Sequence, residues 1–184
     1  MGYRHTKEEI LEGALAAAFD EGLSQLTFGR LAKRLGVSDR VIVYYFPSKD
    51  DLVSEVLVGV GLELQATLAP TVDEPVGDHL ELVRAVWPVL ARPEADPVFA
   101  LFFEAGGLAA AGREPYRTLV PFLVEQWIVW AQGHLRVPAA RRHSEAAAAI
   151  AMIDGLLLMR QLGGPQAADA AARRLGVLGR RPAR

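Results

Sequence analysis

The stretch 27–52, TFGRLAKRLGVSDRVIVYYFPSKDDL, constrains the fold of this chain more than any other. Its spacing predicts two short helices joined by a tight turn, followed at once by the start of a third. Thr27 can N-cap the first, its hydroxyl accepting a backbone N–H of the first turn. Leu31, Ala32 and Leu35 give that helix one apolar face. Gly36 follows the last periodic residue, where a left-handed conformation is wanted. Val37 plugs the turn, Ser38 caps the next helix, and Asp39 sets negative charge at its positive end. Val41, Ile42 and Tyr45 can face inward. Phe46-Pro47 breaks the pattern, and Ser48 with Asp51 forms a capping box for a new helix.

Helix, glycine turn, helix is the plan in which a second helix enters the DNA major groove. The local charges agree: Arg30, Lys33, Arg34, Arg40 and Lys49 face Asp39 alone between 30 and 49. Tyr44 and Tyr45 interleave aromatic hydroxyls with those cations, as a phosphate-gripping surface would. The rival explanation is an ordinary helical hairpin with a solvated basic face.

At 184 residues, 51% of them hydrophobic, the chain has room for one or two compact domains with a substantial core. Net charge is −2, so affinity for nucleic acid has to come from a local patch. With no cysteine, disulfides, thiolate metal sites and cysteine nucleophiles are excluded, and a reducing cytoplasm is the expected compartment. The opening MGYRHTKEEI lacks the apolar core of a signal peptide. Glu63, Glu104, Glu125 and Asp154 interrupt the long apolar runs, so no membrane partner is expected.

Helical periodicity continues along the whole chain, and the expected fold class is all-α with about nine helices. Residues 1–5 read as a frayed arm, in which Arg4 and His5 could touch a phosphate. Thr6 and Glu9 make a capping box, and Ile10, Ala14, Ala17 and Ala18 form the buried stripe of the first helix, with Lys7, Glu8 and Glu12 facing water. Gly22 ends it. The helix from Ser48 carries Leu52, Val53, Val56, Leu57, Val60, Leu64 and Leu68, and makes a lever between two domains. Asp78 caps a helix that Pro88 should kink or end near Trp87. Further helices start at Asp96-Pro97 and Pro115, the latter kinked by Pro121. From Pro138 a long helix runs to about Leu162, apolar on more than one face. Such a helix needs cover on more than one side, and a second protomer is a natural source. A last helix carries Ala168, Ala171, Leu175 and Leu178. The ending GRRPAR reads as a basic tail.

No catalytic constellation emerges. His5, His79, His134 and His143 lie apart, no serine has a nucleophile-elbow setting, and no glycine loop matches a phosphate-binding pattern. No metal site or cofactor is expected. Asp154 and Glu104 stand in strongly apolar helices, and each requires a partner if buried. Should either line a cavity, the cavity favours a cation or a hydrogen-bond donor. The aromatics of the second half suit a small-molecule pocket, but taken alone they suit an ordinary helical core better.

The run 10–57 resembles the DNA-binding domain of the tetracycline-repressor (TetR) family of bacterial regulators. The resemblance rests on Ile10, Ala14, Gly22, Thr27, Leu31-Ala32, Gly36-Val37-Ser38, Tyr45-Phe46, Lys49, Leu52 and Val56-Leu57. It departs at Val43, commonly aromatic in the family, and at Arg40, where a small residue or proline is usual. The resemblance implies a three-helix helix-turn-helix domain over 1–50 and a ligand-binding and dimerisation domain over 51–184. It implies a homodimer on double-stranded DNA; by its own chemistry Arg40 is the best base reader, bidentate to guanine, and Asp39 a candidate acceptor from cytosine. Thr27, Tyr44, Tyr45 and Lys49 would position the backbone through phosphates. It favours a pocket for a small-molecule effector, lined by Trp87, Phe99, Phe102, Phe103, Glu104, Trp127, Trp130 and Met152. The dimer interface would take Ile150, Ile153, Leu157, Ala168, Ala171 and Leu175. The function expected is a repressor released from a palindromic operator. The alternative is a helical small-molecule-binding protein whose helix-turn-helix has lost specific DNA reading.

Overall fold

The structure, a computed structural model, describes residues 6–179. Arg4, His5 and the tail beyond Gly179 lie outside the described residues. Among those described there are nine α-helices and no strand, apart from one isolated parallel bridge between Val76 and Leu135. The chain divides into two compact units. One comprises Met1–Leu62 and Leu101–Pro121, the other Glu63–Ala100 and Phe122–Arg184. The sequence places a single boundary at 50; the first unit continues beyond it and takes back a later segment.

The first unit begins with α1 (Lys7–Glu21). The Thr6 hydroxyl accepts from the Glu9 amide at 3.2 Å, and the Glu9 carboxylate accepts from the Thr6 amide at 2.9 Å, the reciprocal box its sequence calls for. Ile10, Ala14, Ala17 and Ala18 are buried as the periodicity requires. A 3-10 turn, Leu23–Gln25, leads to α2 (Phe28–Leu35) and α3 (Asp39–Tyr45). α1 packs on α2 and α2 on α3. Leu23, Leu26, Leu31, Ile42, Phe46, Leu52 and Val53 fill the core between them. Lys7, its side chain 39% exposed, bonds Glu55 at 2.7 Å and lies 5.3 Å from the centroid of the Phe46 ring. The helix α4 (Lys49–Leu68) starts in this unit and ends in the second.

Five further helices follow: α5 (His79–Leu90), α6 (Asp96–Ala110), α7 (Tyr116–Gly133), α8 (Ala139–Gly163) and α9 (Pro165–Arg174). α5 passes through Pro88 and ends at Leu90, and α7 passes through Pro121, so neither proline terminates its helix at once. In the second unit α8 packs against both α5 and α9. Leu82, Val83, Val86, Trp87 and Leu90 of α5 are buried there, as are Ala149, Ile150, Ile153, Leu156 and Leu157 of α8.

By length and composition alone, Lys49–Thr71 and Ala139–Gly163 could each cross a membrane. Both nevertheless use apolar side chains in protein packing, Leu52, Val53, Val56 and Leu57 in one and Ala146, Ile150 and Leu157 in the other.

One polar element is built into the second unit. Arg160, only 7% exposed, donates from Nε to Asp96 Oδ1 at 2.5 Å and from Nη2 to Oδ2 at 3.0 Å. Gln161 adds a bond to the Asp96 carbonyl at 2.8 Å. The first turn of α6 is thereby tied to α8 by a fork geometry that lysine could not reproduce. Removing the guanidinium while keeping side-chain bulk leaves Asp96 unpaired. Arg160→Met is expected to destabilise the protein by about 1–3 kcal/mol, between the values for exposed and fully buried pairs, read as a lowered urea midpoint.

Candidate nucleic-acid interface

The basic stretch is seated by local backbone chemistry. The Thr27 hydroxyl accepts from the Arg30 amide at 3.3 Å, which starts α2. Gly36 ends it at φ +67°, the left-handed region, and the Val37 amide then donates to Ala32 O at 3.0 Å. A side chain at 36 would strain the bend that sets α3 on α2. Ser38 adopts the extended backbone of a cap residue, but its side chain makes no cap bond. Asp39 is the acidic residue in the first turn of α3, with Arg40 beside it. At the next start the Ser48 hydroxyl accepts from Asp51 N at 3.1 Å, while Asp51 Oδ2 accepts from Ser48 N at 3.0 Å and from its hydroxyl at 2.7 Å. This box anchors Lys49 at the N-terminus of α4.

On this scaffold Ile42 points inward, and Asp39, Arg40, Val43 and Tyr44 are exposed. Tyr44 is 64% exposed and meets Tyr45 edge-on, ring centroids 4.9 Å apart. Thr27 is exposed; Tyr45 and Lys49 are half-buried. Two cations of the stretch are committed elsewhere. Arg34 Nη2 bonds Asp20 at 2.5 Å, and Arg30 Nη1 bonds Gln25 at 2.7 Å with Glu21 at 3.4 Å. Arg40 and Lys33 have no hydrogen-bond or ion-pair partner among the described residues. The sequence gives no local cue to these pairings, because the acids stand on α1, outside the 27–52 window.

The aromatics assigned to a pocket fall in both units. Trp87 is 1% exposed and belongs to the core with α8, and Phe99 is also buried. Trp127 and Trp130 meet edge-on at 5.6 Å, and Trp130 stacks on His134 at 4.3 Å. Met152 is half-buried. These five named pocket candidates belong to the second unit, whereas Phe102, Phe103 and Glu104 belong to the first. Phe102 and Phe103 meet at 5.7 Å. Glu104 faces the turn after α1: its carboxylate accepts from Leu23 N at 2.8 Å, Ser24 N at 2.9 Å and the Ser24 hydroxyl at 2.6 Å. Burial alone would raise its pKa. The Ser24 and Leu23 donors outweigh that and hold it below the ordinary carboxylate value.

Asp154 is the opposite case. It has no hydrogen-bond or ion-pair partner among the described residues, and burial pushes its carboxyl up to about 6. Tyr116, 5% exposed, has a hydroxyl with no hydrogen-bond partner among the described residues; burial, with Glu104 and Asp50 nearby, pushes it up to about 12.

Of the interface candidates, Ile150, Ile153, Leu157 and Ala168 are buried within the single chain, Ala171 is half-buried and Leu175 exposed. The apolar side chains that α8 leaves in solvent are Leu158, Met159 and Leu162, the last 79% exposed.

Comparison with known proteins fits this geometry. Residues 10–56 match the family model for bacterial regulatory proteins of the tetR family. Over 80 residues the chain is 30% identical to the HTH-type transcriptional regulator BetI 1 of Chromohalobacter salexigens, a match spanning 44% of this chain and 40% of that relative. Two solved structures share the fold over nearly the whole length. One is a candidate transcriptional regulator of Streptomyces coelicolor A3(2), with TM-score 0.68 and 24% identity over 91% of this chain and 96% of that one. The other is a candidate regulator of Saccharomonospora viridis, solved in complex with choline, with TM-score 0.69 and 20% identity over 91% of each chain.

Base-edge and phosphate contacts lose affinity in different ways when removed. Arg40→Ala is expected to relax sequence preference at one base pair, at a cost of about 1–3 kcal/mol on the preferred duplex. Lys49→Ala should weaken all duplexes alike and lower the slope of log affinity against log salt by about 1. Fluorescence anisotropy on matched and single-mismatch duplexes distinguishes them, and equal loss on every duplex from Arg40→Ala removes it as a base reader.

Proposed function

We propose that this chain, whose N-terminal domain belongs to the tetR family of bacterial regulatory proteins, is a dimeric transcriptional repressor that a small-molecule effector releases from a palindromic operator. The observation that carries the proposal is the seat of α3. A rigid glycine bend presents Arg40 and Tyr44 to solvent, with Thr27 and Lys49 at flanking helix starts able to hold phosphates. Tyr45 and Asp39 complete the set.

A second copy supplies the partner for the apolar side chains left on α8. Leu158, Met159 and Leu162 follow at helical spacing, and Leu175 lies just past the end of α9. Pairing α8 and α9 with their symmetry mates would cover them and set two α3 helices against one duplex. The compartment is the one that holds the DNA, the cytoplasm.

Selection of bound duplexes from a randomised pool tests the assignment. An inverted repeat should be enriched, at the stoichiometry of two chains per duplex, and Leu158→Glu with Leu162→Glu should give a monomer that enriches none. Recovery of unselected sequence would favour a small-molecule carrier that no longer reads DNA.

The effector belongs to the second unit and is cationic. Asp154 is an unpaired carboxylate in that unit, and the Trp127–Trp130 pair in the same unit offers ring faces suited to a quaternary ammonium. The Saccharomonospora viridis protein, of the same fold, was solved with choline. Choline titrated against tryptophan fluorescence is therefore expected to bind, and Asp154→Asn to weaken binding about tenfold or more. The carboxylate loses its charge below its pKa, so affinity should fall as pH is lowered through about 6. Unchanged affinity in the variant would remove Asp154 from the site, and no binding of choline or tetramethylammonium would end the cationic assignment.

A further inference from the structure

The segment Leu101–Pro121 belongs to the compact unit that carries the basic stretch, although it stands far along the chain from it. Leu101, Ala105 and Tyr116 are buried in it. Its polar connection is Glu104. Three donors, Leu23 N, Ser24 N and Ser24 Oγ, converge on one carboxylate at the 3-10 turn that joins α1 to α2. The turn's first N–H groups have no partner inside the turn itself, so the carboxylate supplies an acceptor that the backbone lacks. Gly22, at φ +87°, is shaped to the same purpose. A Cβ there would come within 3.0 Å of Glu104 Oε2, so only glycine leaves the carboxylate its place as well as its backbone conformation.

Lys49 is among the charges that act on Glu104, which places the carboxylate in the electrostatic field of the start of α4. The same helix, α6, is gripped a second time at its start. Arg160 and Gln161 of α8 hold Asp96, eight residues or about 12 Å along the helix from Glu104.

We propose that Glu104 is a positioning residue for DNA reading: its carboxylate latches α6 to the α1–α2 turn and holds α2 and α3 in the reading geometry. The proposal rests on the function argued above. It differs from a purely structural bond in what it protects. A misplaced α3 loses contacts to base edges, while contacts to phosphates along any duplex survive.

The test uses the full-length chain with Glu104→Gln, which keeps the shape and one acceptor but not the charge, and Ser24→Ala, which removes a single bond from the other side. Amide hydrogen exchange at Leu23 and Ser24 is followed without DNA, and duplex affinity is measured under conditions where circular dichroism shows both variants fully folded. Glu104→Gln is expected to speed exchange at both amides and to lower the ratio of selected-duplex to random-duplex affinity about tenfold, with Ser24→Ala smaller in the same direction. If exchange accelerates while the ratio stays within about twofold of the parent, the bond is structural only and the positioning role is overturned. Should Glu104→Gln not fold, Ser24→Ala alone decides by the same ratio. A parent protein that prefers no duplex, yet protects both amides, would instead overturn the DNA-reading function and the latch's role with it.

Discussion

The two helices that carry the basic surface are too short to hold themselves. α2 has eight residues and α3 seven, against the roughly 12–15 at which an isolated helix becomes even marginal in water. Their geometry is imposed by what surrounds them. Leu31 and Ala32 of α2 and Ile42 of α3 are drawn into one core with Ile10 and Ala14 of α1, and Phe46 closes its end. Caps at Thr27 and Ser48 and the left-handed Gly36 then determine where each helix starts and stops. The reading surface is therefore a property of the whole first unit. Anything that shifts the turn between α1 and α2 shifts the surface too.

That dependence explains what could be read from the sequence. Caps, the glycine bend and the Thr6–Glu9 box act over three or four residues, so a linear pattern contains them whole. Ion pairs between helices do not have that property. Within 30–49 the stretch looks like five cations against one acid, yet Asp20 and Glu21 of α1 take Arg34 and Arg30. The cations of the stretch without an ion pair among the described residues are Lys33, Arg40 and Lys49, a smaller and more localised patch than a window count suggests. Ser38 shows the limit in the other direction. It has the right residue type and backbone for a cap, and its hydroxyl still makes no bond.

α8 was the least legible element, for a physical reason. Its sequence is apolar around much of its circumference, so periodicity cannot say which stripe meets its own chain and which is left over. α5 and α9 take the stripe with Ile150, Ile153 and Leu157, and Leu158, Met159 and Leu162 remain outside. The aromatics pose the same problem. Trp87 and Trp130 have equal claims on a pocket by composition, but Trp87 fills the core against α8 and Trp130 is only half-buried, stacked on His134. A core and a binding cavity draw on the same residue types, and only packing tells them apart.

Two carboxylates in apolar helices, Glu104 and Asp154, stood on equal terms in the sequence, and their surroundings divide them. Burying an ionised carboxyl is unfavourable unless donors compensate. Glu104 has three, and they overcome its desolvation; as a depressed acid it contributes stability above its unfolded pKa, lost only as pH falls through the folded value. Asp154 has none, and its proton is held up to about pH 6. A raised acid works in the other sense: its ionised form opposes folding at neutral pH, and the penalty disappears as pH falls toward the unfolded value. A fold that keeps such a group uncompensated in the unit argued to bind the effector, and a fully compensated one in the unit that carries the basic stretch, has separated two tasks. One carboxylate is satisfied by donors within its own unit, and the other, on the function proposed above, would be satisfied by an arriving cation.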